Sequence, residues 1–368
     1  MIIQSIELNN FRNYENLQIS FDEGTNILFG DNAQGKTNIL EAAYLSGTTK
    51  SHKGSKDKKM IRFGTNEAHL RTMVLKKGKQ YQIDMHLKHN RSKGIAVNKI
   101  PMKKASELFG ILNIVFFSPE DLNIIKNGPS ERRHFLDAEL CQLDKIYLSD
   151  LSNYNKILNQ RNKLLKDMVY RPELSDTLPV WDMQLIDTGK KIIRRREQFV
   201  KELNEIVHEI HYRISGGREE LFLSYEPSVS ADLLEQELER VKPRDLKQCQ
   251  TSVGPHRDDL LFSIAGVDIR KFGSQGQQRT SALSLKLSEI ELVRKSIHDT
   301  PVLLLDDVLS ELDSNRQNYL LNSICDTQTI ITCTGLDEFI RNRFEINKVF
   351  EVISGQVFEK GQVIERQG

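Results

Sequence analysis

Gly30-Asp31-Asn32-Ala33-Gln34-Gly35-Lys36-Thr37 decides the reading of this chain. The string is G-x-x-x-x-G-K-T, and its flanks supply the context such a loop needs. Thr25-Asn26-Ile27-Leu28-Phe29 before it reads as a short buried strand, and Asn38 through Leu45 after it reads as a helix. Glycines let the backbone turn tightly, so that its N–H groups converge on phosphate oxygens. Lys36 adds a cation for the β and γ phosphates, and the Thr37 hydroxyl is a ligand for Mg²⁺. The start of the helix contributes partial positive charge. The pattern predicts a nucleotide phosphate site built from residues 30–38, Asn38 included.

A second stretch completes that chemistry. Pro301-Val302-Leu303-Leu304-Leu305-Asp306-Asp307 is an apolar run ending in two carboxylates. A carboxylate at the C-terminal end of a buried parallel strand sits beside a phosphate loop and can hold Mg²⁺. Asp306 is therefore the expected metal partner of Thr37. Asp307 is expected to polarise an attacking water, and Lys36, Asp306 and Asp307 form the catalytic set.

The 368 residues suffice for two domains with a sizeable core. With 28% charged and 38% hydrophobic residues, the chain fits neither a disordered nor a membrane class. Its start, Met1-Ile2-Ile3-Gln4-Ser5-Ile6-Glu7, has no basic segment followed by an apolar one, so no signal peptide is expected. No apolar run approaches the ~20 residues that span a bilayer. Cys141, Cys249, Cys325 and Cys333 show no metal-binding spacing, and reduced thiols in a cytoplasmic protein are the expectation.

The net charge of +1 conceals a segregation. Residues 50–104 carry 16 Lys+Arg against 3 Asp+Glu, a local excess of +13 that the rest of the chain offsets. So lopsided a stretch points to a polyanion. Because it is mostly lysine with few aromatic residues, phosphate contact is expected rather than base reading. Lys53, Lys56, Lys58, Lys59, Arg62, Lys76 and Lys77 are the candidate contacts to such a polyanion.

Outside these stretches the chain changes character twice. Alternating segments over residues 2–8, 17–21, 68–75, 81–87 and 95–97 read as strands, and 112–117 as a buried strand. Ser118 and Pro119 then read as the cap and first position of a helix. From about Pro129 to Ser215 apolar residues recur at helical spacing, broken near Pro172 and Pro179. Two arms of about 30 residues, each about 45 Å long, predict an antiparallel helical hairpin. Strand and helix signals alternate again afterwards, with a helix over 280–293, a strand over 329–333 and a hairpin turning at Ser354-Gly355. The expected division is 1–125, 126–248 and 249–368: an α/β fold interrupted by an inserted α-helical domain.

The ordered motifs resemble those of the ABC-type ATPases. Gly30 to Thr37, Ser274-Gln275-Gly276-Gln277-Gln278-Arg279, Leu303 to Asp307 and Ser310-Glu311-Leu312-Asp313 stand where that family has its Walker A, signature, Walker B and D-loop. Leu8-Asn9-Asn10-Phe11-Arg12-Asn13-Tyr14 is similar to the SMC-like branch, whose heads are split by an insertion, and this adds Arg12 to the nucleotide contacts. Phe117-Ser118-Pro119-Glu120-Asp121-Leu122, Gly254-Pro255-His256-Arg257-Asp258-Asp259 and Thr332-Cys333-Thr334-Gly335 resemble the RecF family over nearly the whole chain.

The resemblance implies an ABC-type P-loop ATPase head with an antiparallel β lobe. It implies ATP and Mg²⁺ as cofactors and a weak, DNA-stimulated ATPase. It implies a homodimer formed on ATP binding, in which Ser274, Gly276 and Gln277 of one subunit meet the nucleotide of the other. DNA, single- and double-stranded and at junctions, is the implied partner, with RecO, RecR and RecA in repair, recombination and the SOS response. The implied setting is cytoplasmic and nucleoid-associated, with no membrane partner. A P-loop phosphotransferase acting on a small molecule is the rival reading, and it has no use for the Ser274 segment. Three departures from the ABC pattern bear on hydrolysis. Asp307 stands where many members have Glu, Gln275 replaces a glycine, and Thr332 and Thr334 flank the position of a switch histidine. No Q-loop glutamine is assigned after Phe117.

Overall fold

Ile3, Ile6, Leu8 and Phe11 of β1 (Ile2–Phe11) are buried; alternation holds from Ile6 to Leu8 and slips by one residue at the irregularity between Ile3 and Ser5 and at Asn10, with φ +51°. In the computed structural model, which describes residues 1–324, 326–336 and 345–360, β1 is followed by β2 (Tyr14–Ser20), β3 (Thr25–Phe29) and α1 (Lys36–Thr48). Then come β4 (Glu67–Lys76), β5 (Lys79–Lys88), β6 (Arg91–Val97), β7 (Ile100–Pro101) and β8 (Ile114–Phe117). The chain continues through α2 (Leu122–Lys126), α3 (Pro129–Leu143), α4 (Lys145–Asp167), α5 (Leu178–Ile214), β9 (Leu221–Glu226) and α6 (Leu234–Gln248). Next are β10 (Asp259–Ile264), β11 (Val267–Asp268), α7 (Ile269–Phe272) and α8 (Gln275–Ile297). It closes with β12 (Val302–Asp306), α9 (Ser314–Ser323), β13 (Thr329–Cys333), β14 (Lys348–Ile353) and β15 (Gln356–Lys360).

Two units result, residues 1–121 with 289–368, and residues 122–288. The first holds two sheets. One is antiparallel, ordered β2-β1-β4-β5-β6-β7; the other is ordered β15-β14-β3-β13-β12-β8, with β14, β3, β13, β12 and β8 mutually parallel. A parallel sheet is covered on both faces, which is why β12 and β13 are buried at every residue and β3 at all but its last. Ile39, Leu40, Ala42 and Ala43 of α1 belong to one buried cluster with Ile3 and Leu70 of the first sheet and Leu28, Leu304 and Ile330 of the second. The phosphate-loop helix is thus buried on most of its surface, its polar Lys36, Glu41 and Ser46 included.

In the second unit α4 and α5 run antiparallel. Arg161 pairs with Asp182 at 2.6 Å, and Arg196 Nε donates to the Tyr147 hydroxyl at 2.9 Å, so partner numbers rise on one helix as they fall on the other. The expected hairpin is present, but its first arm is two helices. Asp144 ends α3 and caps α4, its carboxylate accepting from the N–H groups of Ile146 and Tyr147. The Ser118-Pro119 helix start is also shifted. A 3-10 turn covers Pro119–Asp121, and the Asp121 carboxylate accepts from the Ser118 N–H at 2.7 Å, in place of a Ser118 cap. The sequence division at 248/249 falls inside this unit, because β10 pairs with β9 over six residues from Asp259↔Glu226 to Ile264↔Leu221. Residues 249–288 therefore group with the helices. Cys325 lies outside the described residues; Cys141, Cys249 and Cys333 form no disulfide among the described residues. No helix among the described residues is long and apolar enough to cross a membrane.

Candidate functional site

The phosphate loop leaves the C-terminal end of β3 and enters α1 with its backbone in glycine territory. Gly30 has φ +148° and Gly35 +119°. A Cβ on Gly35 would lie 2.6 Å from Asn13 Nδ2 and 2.7 Å from the Tyr14 hydroxyl, so the position has no room for a side chain. Lys36 is 4% exposed and folds back over the loop, donating to the carbonyls of Gly30 at 2.5 Å and Asp31 at 2.9 Å.

β13 lies between β3 and β12, and this order assembles the second half of the site. Asp306 Oδ1 accepts from Thr37 Oγ1 and from Thr332 Oγ1, each at 2.8 Å. The hydroxyl and the carboxylate expected to share Mg²⁺ therefore stand side by side, and both offer the hard oxygen donors that ion takes. The residues present fit the ion.

Asp307, the next residue, has φ +52°, a left-handed conformation uncommon outside glycine. Its N–H donates to Thr332 Oγ1 at 3.0 Å, and its carbonyl accepts from Ser310 Oγ at 2.8 Å. Burial pushes its carboxyl above the usual carboxylate range; Asp306 adds to the rise and Lys36 opposes it. That direction suits a group that must accept a proton from water. Asn32, Ala33 and Asn38 lie in or beside the loop as expected, with Ala33 at φ +64°.

Arg12, expected from the sequence at the nucleotide, is bonded here to α1 and to the loop that follows it. Its Nε and Nη2 donate to the two carboxylate oxygens of Glu41 on α1 at 2.6 and 2.7 Å, Nη1 to the Lys59 carbonyl at 2.8 Å, and Nη2 to Ser55 Oγ at 3.0 Å. Burial alone would raise Glu41, but the bonds from Arg12 and Ser51 outweigh it and hold the carboxyl below its ordinary value. The neighbour, Asn13, makes the loop contacts: it donates to the Gln34 carbonyl at 3.0 Å and accepts from Asn38 Nδ2 at 2.7 Å. From the other side the β14–β15 turn grips Gln34, with the Ser354 N–H donating to Gln34 Oε1 and Gly355 N–H to the Gln34 carbonyl at 3.1 Å. Sequence reasoning missed Asn13 and Ser354, and named Thr332 only as a departure at the switch position. The string around Arg12 was the one available signal for the first.

The cationic residues divide into two groups. Lys53, Lys56, Lys58 and Lys59 are exposed on a loop fastened to the end of β1, through a Phe11↔Ile61 bridge and the Arg12 N–H to the Met60 carbonyl at 2.8 Å. Arg62 continues it, paired with Glu15 at 3.2 Å. Phe63 beside it is 101% exposed, an aromatic ring among cations that composition alone did not single out. Lys76 and Lys77 lie at the far end of β4, roughly 30 Å from Arg62 at strand spacing. They donate to the carbonyls of Gly110 and Ile297. They are not part of the loop cluster.

In the second unit Ser274 begins α8. Its hydroxyl accepts from the Gln277 N–H at 3.2 Å while Gln277 Oε1 accepts from the Ser274 N–H at 2.9 Å, a reciprocal cap. Ser274, Gln275 and Gly276 are exposed, beside Phe272 at 75% exposure. An exposed helix N-terminus is chemically an anion acceptor.

The family described as the RecF/RecN/SMC N terminal domain matches residues 2–356. The chain is 74% identical over 357 residues to a protein of Agathobacter rectalis named DNA replication and repair protein RecF, covering 97% of this chain and 99% of that one. A protein of the same name from Lachnospira eligens is 62% identical over 359 residues, covering 97% and 99%. Among solved structures, one described as the recombination mediator protein RecF-ATP in the RecFOR pathway superposes with TM-score 0.91 at 37% identity, covering 98% of this chain and 97% of that one. An Smc head domain of Pyrococcus furiosus, at 18% identity and TM-score 0.57 with 97% and 96% covered, shares the fold.

Proposed function

Because this chain belongs to the RecF family, an SMC-like branch with the ABC-type ATPase head fold, we propose that it is an ATP-dependent, DNA-binding recombination mediator. The observation that carries the reading is the meeting of Thr37 and Thr332 on Asp306 Oδ1, each at 2.8 Å, beside a loop closed by Lys36. Thr37 and Asp306 would hold Mg²⁺, which when bound neutralises phosphate charge. Lys36 exchanges its two loop carbonyls for phosphate oxygens. Asp307 takes a proton from water. Ser274, Gly276 and Gln277 present their cap to the nucleotide of a second subunit, so ATP joins two copies. A capped, exposed Ser274 segment has a use in that reading and none in a small-molecule phosphotransferase.

DNA backbone binds the Lys53–Arg62 loop through phosphate contacts, and Phe63 stacks on an unpaired base at a gap or junction. The loop is bonded to Arg12, Arg12 to Glu41 of α1, and Asn13 to the phosphate loop. DNA on the cations thereby bears on the ATP site, which is the basis for weak, DNA-stimulated hydrolysis. Partners of the RecO, RecR and RecA type then follow from the family, with action on the nucleoid.

Sedimentation with and without ATP tests the central step. ATP converts monomer to dimer in the parent; Lys36→Met removes the response by losing ATP, and Ser274→Arg removes it while nucleotide still binds. A dimer equally tight without nucleotide refutes the reading.

A further inference from the structure

On β4, residues 67, 69 and 71 point to the same side of the sheet, because side chains alternate along a strand. Ala68 and Leu70 between them are buried, which turns Glu67 and His69 outward. On β5, His86 stands directly opposite His69 in the antiparallel register. The two imidazoles stack with centroids 3.9 Å apart and 25° between planes. His86 Nε2 lies 3.0 Å from Glu67 Oε2, and His69 Nε2 lies 3.8 Å from Glu67 Oε1.

One donor atom from each of the three residues falls within 4.8 Å of the others. Zinc bonds of about 2.0–2.1 Å in tetrahedral geometry separate neighbouring donors by about 3.4 Å. The donors stand within reach of that spacing, and rotation of the stacked imidazoles is what turns both nitrogens onto one ion. Its outer side opens on a cavity of about 770 Å³, lined also by Asn9, Asn16, Arg71 and Asp84.

We propose that Glu67, His69 and His86 form a binding site for a divalent cation of the Zn²⁺ class, with a fourth coordination position open to that cavity. Two imidazoles and one carboxylate select such an ion over Mg²⁺ or Ca²⁺, which take oxygen donors. The nearby charges permit it. Arg71 is matched by Asp84 at 2.7 Å and Glu7 at 3.4 Å. Lys88, 3.4 Å from Glu67 Oε2, is the cation an entering ion displaces. The bound ion joins β4 to β5 on the outer face of the antiparallel sheet, away from Thr37 and Asp306. The site stands independently of the nucleotide reading.

The test is titration of the full chain with Co²⁺ and then Zn²⁺, free of nucleotide and Mg²⁺. The parent takes up one Co²⁺ with the intense visible absorption of four-coordinate cobalt, and Zn²⁺ displaces it. His69→Gln and His86→Gln, singly, each weaken Zn²⁺ binding at least about 100-fold, beyond what loss of an outer-shell partner does. Because both side chains are largely outside the core, circular dichroism of the variants matches the parent. The proposal fails if the parent binds neither ion at micromolar concentration. It fails equally if the doubly substituted chain keeps the absorption, which would assign the ion to the thiols that remain.

Discussion

Arg12→Ala separates two roles for one guanidinium. The Glu41 side chain is 1% exposed and that of Arg12 21% exposed. Breaking a buried ion pair by deleting one partner costs about 3–5 kcal/mol, because the other charge stays buried. Partial exposure of Arg12 places this case near the lower end, about 3 kcal/mol. The pH dependence has a sign. In the parent, Glu41 is held below 4.5, so its contribution is present above that value and lost as pH falls through the lower, folded one. Without Arg12, burial loses its main opponent while the Ser51 bond remains, so the folded value rises and the variant regains stability relative to the parent on acidification.

Urea unfolding at pH 7.5 and pH 5 reads the difference, which is largest at pH 7.5. Arg12→Ala with Glu41→Gln removes the buried charge and recovers about 2 kcal/mol, the cost of an unmatched buried polar group remaining. In that double variant ATP affinity is retained, while stimulation of hydrolysis by DNA is lost. A destabilisation below about 1 kcal/mol, or no recovery when Glu41→Gln is added, refutes the ion-pair argument. A large loss of ATP affinity in the double variant would return Arg12 to the nucleotide contacts.

Replacing Lys56, Lys58 and Lys59 with Glu weakens duplex binding and flattens its salt dependence by about 0.9 log unit for each phosphate no longer neutralised, whereas Lys76 and Lys77 changed together have the smaller effect. Phe63→Ala weakens single-stranded and gapped DNA by about 1–3 kcal/mol and leaves blunt duplex unchanged in a fluorescence-anisotropy titration. Asp307→Asn keeps ATP and Mg²⁺ but leaves water unactivated, so the dimer on gapped duplex outlives the parent's after dilution into excess ADP; equal lifetimes, with the parent hydrolysing, exclude hydrolysis as the release step. Burial lowers both His52 and His256 from 6.5 to about 4, so the unfolded chain takes up protons first and stability is lost as pH falls from 6.5 toward 4. The loss approaches about 3 kcal/mol for each, and His52→Phe, filling the stack on Phe116, removes its share in urea titrations.

What was legible in the sequence was local. β3, the loop and α1 announce themselves because an apolar strand, two glycines and a helix start lie in one stretch, and β12 does so because parallel strands are apolar throughout. What was not legible depends on sheet order. Thr332 reaches Asp306 only because β13 inserts between β3 and β12, and Ser354 reaches Gln34 only because β14 lies on the other side of β3. No spacing rule links residues 26 or 320 positions apart. Charge reading also grouped Lys76 and Lys77 with the loop cations, since it counts charges without the length of the strand that separates them. The helical unit hid its polar core. Arg161 is fully buried against Asp182 and Asp245, and Arg196 against Asp137 and Asp258, at positions an apolar periodicity passes over.

Thr332 ties the two carboxylates into one device. Its hydroxyl donates to Asp306 and accepts from the Asp307 N–H, so it uses both capacities of one oxygen. That acceptance helps hold Asp307 at φ +52°, a conformation that costs about 1 kcal/mol for a residue with a Cβ. The strain persists because β12 and β13 over-determine it. On the proposed reading, Asp306 stays fixed on the metal side while Asp307 turns toward the water side, a division two adjacent residues in an extended strand also make by alternation. The left-handed turn also ends the strand at that point, letting Ser310 close on the Asp307 carbonyl. An aspartate reaches one methylene less far than a glutamate, so the rigid turn, rather than side-chain length, must set the distance to water. A small displacement there costs rate steeply, and on the proposed reading that makes hydrolysis the slow step of a dimer held on DNA.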